Sequence, residues 1–196
     1  LTATQDEDGC GRRHPSPFAE PGEKAYDTHV AWGLLEAARV EKNDAWTDAA
    51  LRNSGWAVTK QREDGWIESN CLDGPEQPLT HTIGYFLRGV VEGWRASRDP
   101  DLLEAARKTA DGLASSIAPD GFLPGRLGPA WTPTVEWACL TGTVQVACCW
   151  LILDLETGQD RYREVARSAN RYVRRAVRFV DDPDLHGAVT GSFPAD

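Results

Sequence analysis

The dipeptide Asp-Gly recurs at residues 8–9, 64–65 and 120–121, at two equal intervals of 56 residues. A fixed period of this length marks a repeat architecture and constrains the fold more than any local propensity does. Each pair is followed by an irregular loop, an apolar helix-forming stretch, and a more polar stretch that leads to the next Asp-Gly. The apolar stretches read as helices over Tyr26–Val40, Leu79–Arg95 and Ala138–Leu155, and their polar partners over Asp44–Lys60, Pro100–Ser116 and Gln159–Val180.

The polar helices begin in register. Asn43-Asp44, Asp99-Pro100 and Gly158-Gln159-Asp160 supply capping side chains, a first-turn proline and acidic first turns. Small residues recur as Ala49-Ala50, Ala105-Ala106 and Val165-Ala166, and should let these helices approach their apolar partners closely. The reading is an all-α chain of three tandem αα-hairpins, residues 1–61, 62–117 and 118–180, with a fourth loop opening at 181–196. Tetratricopeptide units are shorter, and HEAT units lack a long loop containing Gly and Trp before each first helix. A segment of an (α/α) toroid is therefore expected. Leu1–Gly9 matches Leu113–Gly121 at twice the period, so a toroid segment truncated at both ends is the further expectation.

The chain has 196 residues, enough to bury a sizeable core without a disulfide or metal staple. Lys and Arg number 21 against 30 Asp and Glu, a net charge of −9 that argues against a nucleic-acid or anionic-membrane partner. Five cysteines, Cys10, Cys71, Cys139, Cys148 and Cys149, show no CxxC spacing, which favours reduced thiols and a cytoplasmic location over a zinc site or disulfide framework. Residues 138–155 are apolar, but Thr141, Thr143, Gln145 and Asp154 interrupt them and favour a buried helix over a membrane span. No metal and no cofactor are expected.

The segments AYDTHVAWGLLEA (Ala25–Ala37), DGWIESNCL (Asp64–Leu72), PLTHTIGYFLRGVVEG (Pro78–Gly93), DGFLPGRL (Asp120–Leu127), WACLTGTVQVACCWL (Trp137–Leu151) and GAVTGSFP (Gly187–Pro194) carry a family resemblance. Together they resemble bacterial α/α-toroid proteins of the six-hairpin glycosidase-like and terpenoid-cyclase-like class, often described as prenyltransferase or squalene-oxidase repeat proteins. Some of that group are associated with polysaccharide synthesis. The group has Asn and Arg where this chain has Asp27 and His29, and Asn where it has Thr143. The acidic cluster of hopene-type cyclases and the zinc ligands of prenyltransferases have no counterpart here, which disfavours terpene chemistry.

The resemblance implies a site in the funnel at the N-terminal ends of the inner helices, where positive helix ends suit anionic sugar groups. His81, Asp27, Glu136 and His29 are the candidate catalytic residues, supplying the acid and base types that sugar hydrolysis or epimerisation needs. Against this, helix-start acids commonly serve as caps, and an inner-helix His is often a satisfied core residue. Trp66, Asn70, Tyr85, Arg126, Trp131, Trp137, Gln145 and His14 are the candidate binding residues, with Thr141 beside them. Trp32, Trp94 and Trp150 on inner helices, and Trp46 and Trp56 on an outer one, read as core packing. Cys148-Cys149 reads as packing too.

The expected function is a carbohydrate-active enzyme, hydrolase, lyase or epimerase, that acts on a sugar or uronic-acid unit by acid–base chemistry. The alternatives are a non-catalytic glycan- or protein-binding repeat module and a terpenoid-cyclase-like or prenyltransferase-like protein. A sugar or oligosaccharide is the expected ligand, with self-association or association with the remainder of a toroid as the expected protein contact.

Overall fold

The computed structural model describes residues 2–13 and 21–194. They form six α-helices: α1 (Thr28–Glu41), α2 (Asp44–Val58), α3 (Thr80–Ser97), α4 (Pro100–Ser116), α5 (Leu140–Thr157) and α6 (Asp160–Arg174). α1, α3 and α5 lie side by side as an inner layer, and α2, α4 and α6 each pack on their own inner partner. This is the expected all-α arrangement of three tandem hairpins, a partial α/α toroid. Strand structure among the described residues is confined to β1 (Ala138–Cys139) and β2 (Ser192–Phe193), paired antiparallel.

The Asp-Gly pairs explain the register. Each Asp Oδ1 accepts the backbone N–H two residues on, at 3.0 Å from Cys10, 3.0 Å from Trp66 and 3.1 Å from Phe122. That side-chain turn puts the next residue at positive φ, +97° at Gly9, +85° at Gly65 and +93° at Gly121. A Cβ at any of the three would also overlap the backbone carbonyl of Arg52, Lys108 or Ser168, midway along α2, α4 and α6. Glycine is thus required both by conformation and by contact. Asn53 Nδ2 donates to Gly9 O at 3.0 Å and Thr109 Oγ1 to Gly65 O at 2.8 Å, fixing the same junction with side chains.

Four residues after its glycine, each following loop reaches back to the start of the preceding inner helix. Ala25 N–H donates to Ser69 O, Thr80 N–H to Gly125 O and Leu140 N–H to Gly191 O, each at 2.9 Å. These bonds satisfy backbone groups at helix starts that would otherwise lack partners. They also gather the loops at the end where all inner helices begin.

α3 is the central inner helix. Ile83, Phe86, Leu87, Val90 and Val91 are fully enclosed, and they meet Trp150, Leu153, Leu113 and Trp66 in one core. Each such side chain contributes about 1.5–3 kcal/mol on burial. The expected small-residue stripes are buried at Ala49, Ala50, Ala105, Ala106 and Ala166. Gly89, midway along α3, sits on the backbone of Thr28 at the start of α1, and Gly142, in the first turn of α5, sits on that of Thr80 and His81 at the start of α3.

Most helix limits differ from the sequence reading by a residue or two, and three of the differences have a visible cause. A 3₁₀ turn at Ala25–Asp27 precedes α1, which starts at Thr28. Ala138 and Cys139 are claimed by β2 through the pairs Ala138↔Phe193 and Cys139↔Ser192, so α5 starts at Leu140. α6 stops at Arg174, short of Val180, because Arg178 exchanges backbone bonds with the fourth loop, donating to Ala188 O at 2.9 Å and accepting from Gly187 N–H at 2.7 Å.

Candidate functional site

The inner helices expose one face of mixed polar and aromatic side chains. His29 and Trp32 of α1, Gly84, Tyr85 and Arg88 of α3, and Val144, Gln145 and Cys148 of α5 line a cavity of about 280 Å³. Positions 81, 85 and 88 form one stripe along α3, and 29 and 32 form another on α1, as helical spacing dictates. His29 stacks on Tyr85 with ring centroids 4.1 Å apart, and His81 meets the edge of the same ring at 5.2 Å. Trp32 lies edge-on to His29 at 5.4 Å.

Arg88 is the fixed charge of this cavity. Its guanidinium carbon lies 4.1 Å from the Trp32 ring centre, and its Nη1 is 3.4 Å from Cys148 Sγ. Its Nε is 2.9 Å from Glu92 Oε1, a close ion pair that does not align as a hydrogen bond, since that nitrogen has no hydrogen-bond partner. Glu92 is buried and is also held by Arg95 at 3.1 Å.

Burial pushes the His29 imidazole below its ordinary pKa, and the nearby Arg88 charge adds to the effect. His81 is pushed down likewise, by burial first and then by Arg126. Both imidazoles are therefore neutral at neutral pH, the form that can accept a proton. Tyr26 is raised to about 12, chiefly by burial and then by Asp27 and Cys71, so it keeps its phenolic proton.

Besides Arg88 Nε, which has its ion pair with Glu92, three buried polar atoms of the cavity lining lack any hydrogen-bond partner: His29 Nδ1, Trp32 Nε1 and Gln145 Oε1. Buried polar atoms are ordinarily satisfied, and each one left unpaired costs about 1–3 kcal/mol. A polar ligand that met them would recover that cost. They offer one N–H donor, one amide acceptor and one imidazole nitrogen toward a hydroxylated molecule.

The structure brings three of the candidate residues together in the cavity lining, His29, Tyr85 and Gln145; His81 lies outside the lining, one turn before Tyr85 and in contact with that ring. Asp27 is half-buried at the N-cap position of α1 beside Tyr26, and it caps none of the first-turn amides. Thr141 is exposed at the start of α5, and Glu136 is exposed in the loop before it. Arg126 lies outside the cavity lining, bonded to Asp73 at 3.0 Å and to Gln77 O at 2.9 Å, and reaches the site through its charge on His81. Asn70 is fully enclosed with both side-chain polar atoms unpaired.

The loop tryptophans are mostly structural. Trp66 is 1% exposed and donates its indole N–H to Leu127 O at 3.2 Å. Trp131 is buried against Gly112 and donates to Asp64 O at 2.8 Å. Trp137 is half-buried with its ring on Gly125. His14 lies outside the described residues. Trp32, expected in the core, instead walls the cavity, whereas Trp94 and Trp150 are buried as expected. Cys148, expected as packing, is exposed to the cavity, while Cys149 beside it is enclosed.

Trp32, Arg88 and Cys148 escaped the sequence reading. Extending the stripe of His81 and Tyr85 by one more turn reaches Arg88, and the same step from His29 reaches Trp32. A second, wider groove of about 700 Å³ lies toward the opposite ends of α1 and α3. Of its three carboxylates, Glu36 and Glu92 are paired with Arg39 and Arg95, and Asp44 lies in the first turn of α2.

No protein-family model and no curated protein sequence matches the chain significantly. Solved structures do match. The unsaturated glucuronyl hydrolase of Bacillus sp. GL1, responsible for degradation of glycosaminoglycan, superposes with a TM-score of 0.76 at 15% identity, covering 96% of this chain and 56% of that one. An unsaturated glucuronyl hydrolase specific for heparin gives 0.73 at 14% identity, covering 88% and 52%. Cellobiose 2-epimerase from Bacillus thermoamylovorans B4167 gives 0.71 at 11%, covering 92% and 52%. These neighbours share the α/α-toroid fold, and this chain spans about half of their length. Among the described residues no helix is long and apolar enough to cross a membrane.

Proposed function

We propose that this chain forms part of a carbohydrate-active enzyme and supplies one wall of a site that binds a single sugar unit and moves a proton on it. The observation that carries this reading is the neutral imidazole of His29 in a cavity lining with unpaired polar atoms, backed by Tyr85, against which the second neutral imidazole, His81, packs just outside the lining. A cavity of about 280 Å³ suits one pyranose ring better than an extended chain. Trp32 N–H and Gln145 Oε1 would bond its hydroxyls, and Arg88 would hold an anionic or strongly polar substituent.

Proton transfer at a sugar carbon, as in epimerisation or elimination, fits better than hydrolysis by two carboxylates. Hydrolysis places a carboxylic acid and a carboxylate on opposite sides of the bond. None of the side chains lining this cavity is a carboxylate. An unprotonated imidazole is suited to taking a proton near pH 7, a step that general-base catalysis accelerates by about 10²–10⁴-fold. That the solved structures sharing this fold include a glucuronyl hydrolase, a sugar epimerase and a polysaccharide lyase supports a carbohydrate ligand.

The test is a titration of the chain with neutral and uronic monosaccharides and disaccharides, followed by the imidazole NMR signals of His29 and His81. Binding should shift both signals, and Arg88→Ala and Gln145→Ala should each weaken it about tenfold or more. Saccharides that bind while leaving both imidazole signals in place would sink the assignment. Binding with no proton exchange at any sugar carbon, in polypeptide containing a complete toroid, would favour a glycan-binding module instead.

A further inference from the structure

We propose that Arg95, which lies outside the cavity, is a positioning residue that sets how much positive charge Arg88 presents there to an incoming anion. This rests on the reading of the cavity as a ligand site and adds what selects between charged and neutral ligands.

Residues 88, 92 and 95 lie on one side of α3, at the four- and three-residue spacings that bring helical side chains together. Glu92 stands between the two arginines. Its side chain is buried, and both carboxylate oxygens accept from Arg95 Nη1, at 3.3 and 3.1 Å. Arg95 is anchored in turn from α5, where Glu156 Oε1 accepts from its Nε at 3.1 Å and Glu156 Oε2 accepts from Arg98 Nη1 at 3.3 Å. The link from Glu92 to Arg88 is of another kind. Arg88 Nε is 2.9 Å from Glu92 Oε1, so the charges attract, but no hydrogen bond is aligned between them.

Three guanidiniums thus share two carboxylates in the sequence Arg88, Glu92, Arg95, Glu156, Arg98, and one positive charge is left over. It is least matched at the two ends. The Arg98 side chain is 62% exposed and gives its charge to water, whereas that of Arg88 is 22% exposed and lines the cavity, where screening is weaker. Among the described residues the one hydrogen-bond partner of Arg88 is Cys148 Sγ, a weak acceptor. Stacking on Trp32 covers a face of the guanidinium and leaves its N–H edge for a ligand.

Arg95 maintains this state by holding the Glu92 carboxylate turned toward itself. Without Arg95, Glu92 would keep a single ion-pair partner, and a buried carboxylate gains most from an aligned bond to that partner. Arg88 would then be neutralised by Glu92. Arg95 borders the wider groove and not the cavity, so its influence on a ligand passes through Glu92.

Cys148 reports the charge beside it without any saccharide. Iodoacetate, an anion, and iodoacetamide, its neutral amide, alkylate the same thiol, so the ratio of their rates at Cys148 cancels the reactivity of the thiol itself. Arg95→Ala should lower this ratio about threefold or more, and Glu92→Gln should raise it by a similar factor. Arg98→Ala removes an equal charge that does not touch Glu92, and should leave the ratio unchanged. Circular dichroism shows which variants fold; Arg95 is half-exposed, so Arg95→Ala carries the test if Glu92→Gln does not fold. In titrations with glucuronic acid and glucose, the preference for the acid should move in the same directions. Labelling ratios that shift as expected while neither sugar binds would count against the carbohydrate reading and leave the assignment of Arg95 standing. An unchanged ratio in folded Arg95→Ala, or an equal fall in Arg98→Ala, would overturn the assignment itself.

Discussion

His29 and Tyr85 are stacked with ring centroids 4.1 Å apart and planes 20° from parallel, although one opens α1 and the other lies on α3. The stack holds a half-buried imidazole against a ring on one side and the Arg88 charge on the other, so protonating it in the folded state is unfavourable. Unfolding restores the ordinary His value of about 6.5. Below that pH the unfolded chain binds protons that folded His29 and His81 refuse, and stability falls as pH drops toward the lowered folded values. Above it both states are neutral and these groups add no slope. Urea melts from pH 8 to pH 5 should show the decline, and His29→Gln should flatten part of it; a stability profile without slope between pH 7 and pH 5 would contradict the lowered imidazoles.

The two tryptophans Trp32 and Trp66 should separate binding from folding. Trp66 is enclosed and bonded to Leu127 O, so Trp66→Ala should cost about 3–5 kcal/mol. Trp32 walls the cavity with a free indole N–H. Trp32→Ala should cost about 1 kcal/mol through its lost contact with Arg88, and should weaken saccharide binding far more than Trp66→Phe does. Denaturant melts and binding titrations on the same variants give both readings.

Gly65 and Gly187 share a backbone conformation but not a neighbour. Alanine at Gly187 pays only for positive φ, about 1–2 kcal/mol. At Gly65 the added methyl also overlaps the Lys108 carbonyl, so Gly65→Ala should destabilise the chain by at least about 1 kcal/mol more. Equal losses for the two variants, measured by urea melting, would refute the assigned contact.

Cys148 and Cys149 are neighbours in sequence with opposite surroundings. Cys148 faces the cavity 3.4 Å from Arg88 Nη1, whereas Cys149 is enclosed and its thiol is pushed well up by burial. A thiol reagent should label Cys148 in the native chain and spare Cys149 until unfolding. A bound saccharide should slow labelling of Cys148. Mass spectrometry of peptides from labelled protein checks both statements.

Much of the fold was legible because its determinants are local. The Asp-Gly turns need a carboxylate beside a residue free to take positive φ and mark every repeat, and side-chain caps mark the starts of α2 and α4 at Asn43 and Asp99, whereas Gln159 caps no amide of α6. The period then set the order of inner and outer helices. Of the site, the sequence offered His29, His81, Tyr85 and Gln145 as polar interruptions in apolar helices.

What tertiary structure decided is which of those residues share a cavity and which loop aromatics are structural. No pattern within one repeat reveals that Trp66 reaches Leu127 O, or that Trp131 lies on Gly112, since each contact joins neighbouring repeats. Nor does spacing show that Cys148 faces Arg88 while Cys149 turns inward, because that depends on how α5 is rotated against α3. The limit of α6 at Arg174 was likewise set by distant partners, as the Gly187 loop takes the backbone groups that a longer helix would use. Backbone turns are chosen by forces acting over a few residues, so sequence determined them; cavity walls are chosen by helix packing, and only the assembled fold places them.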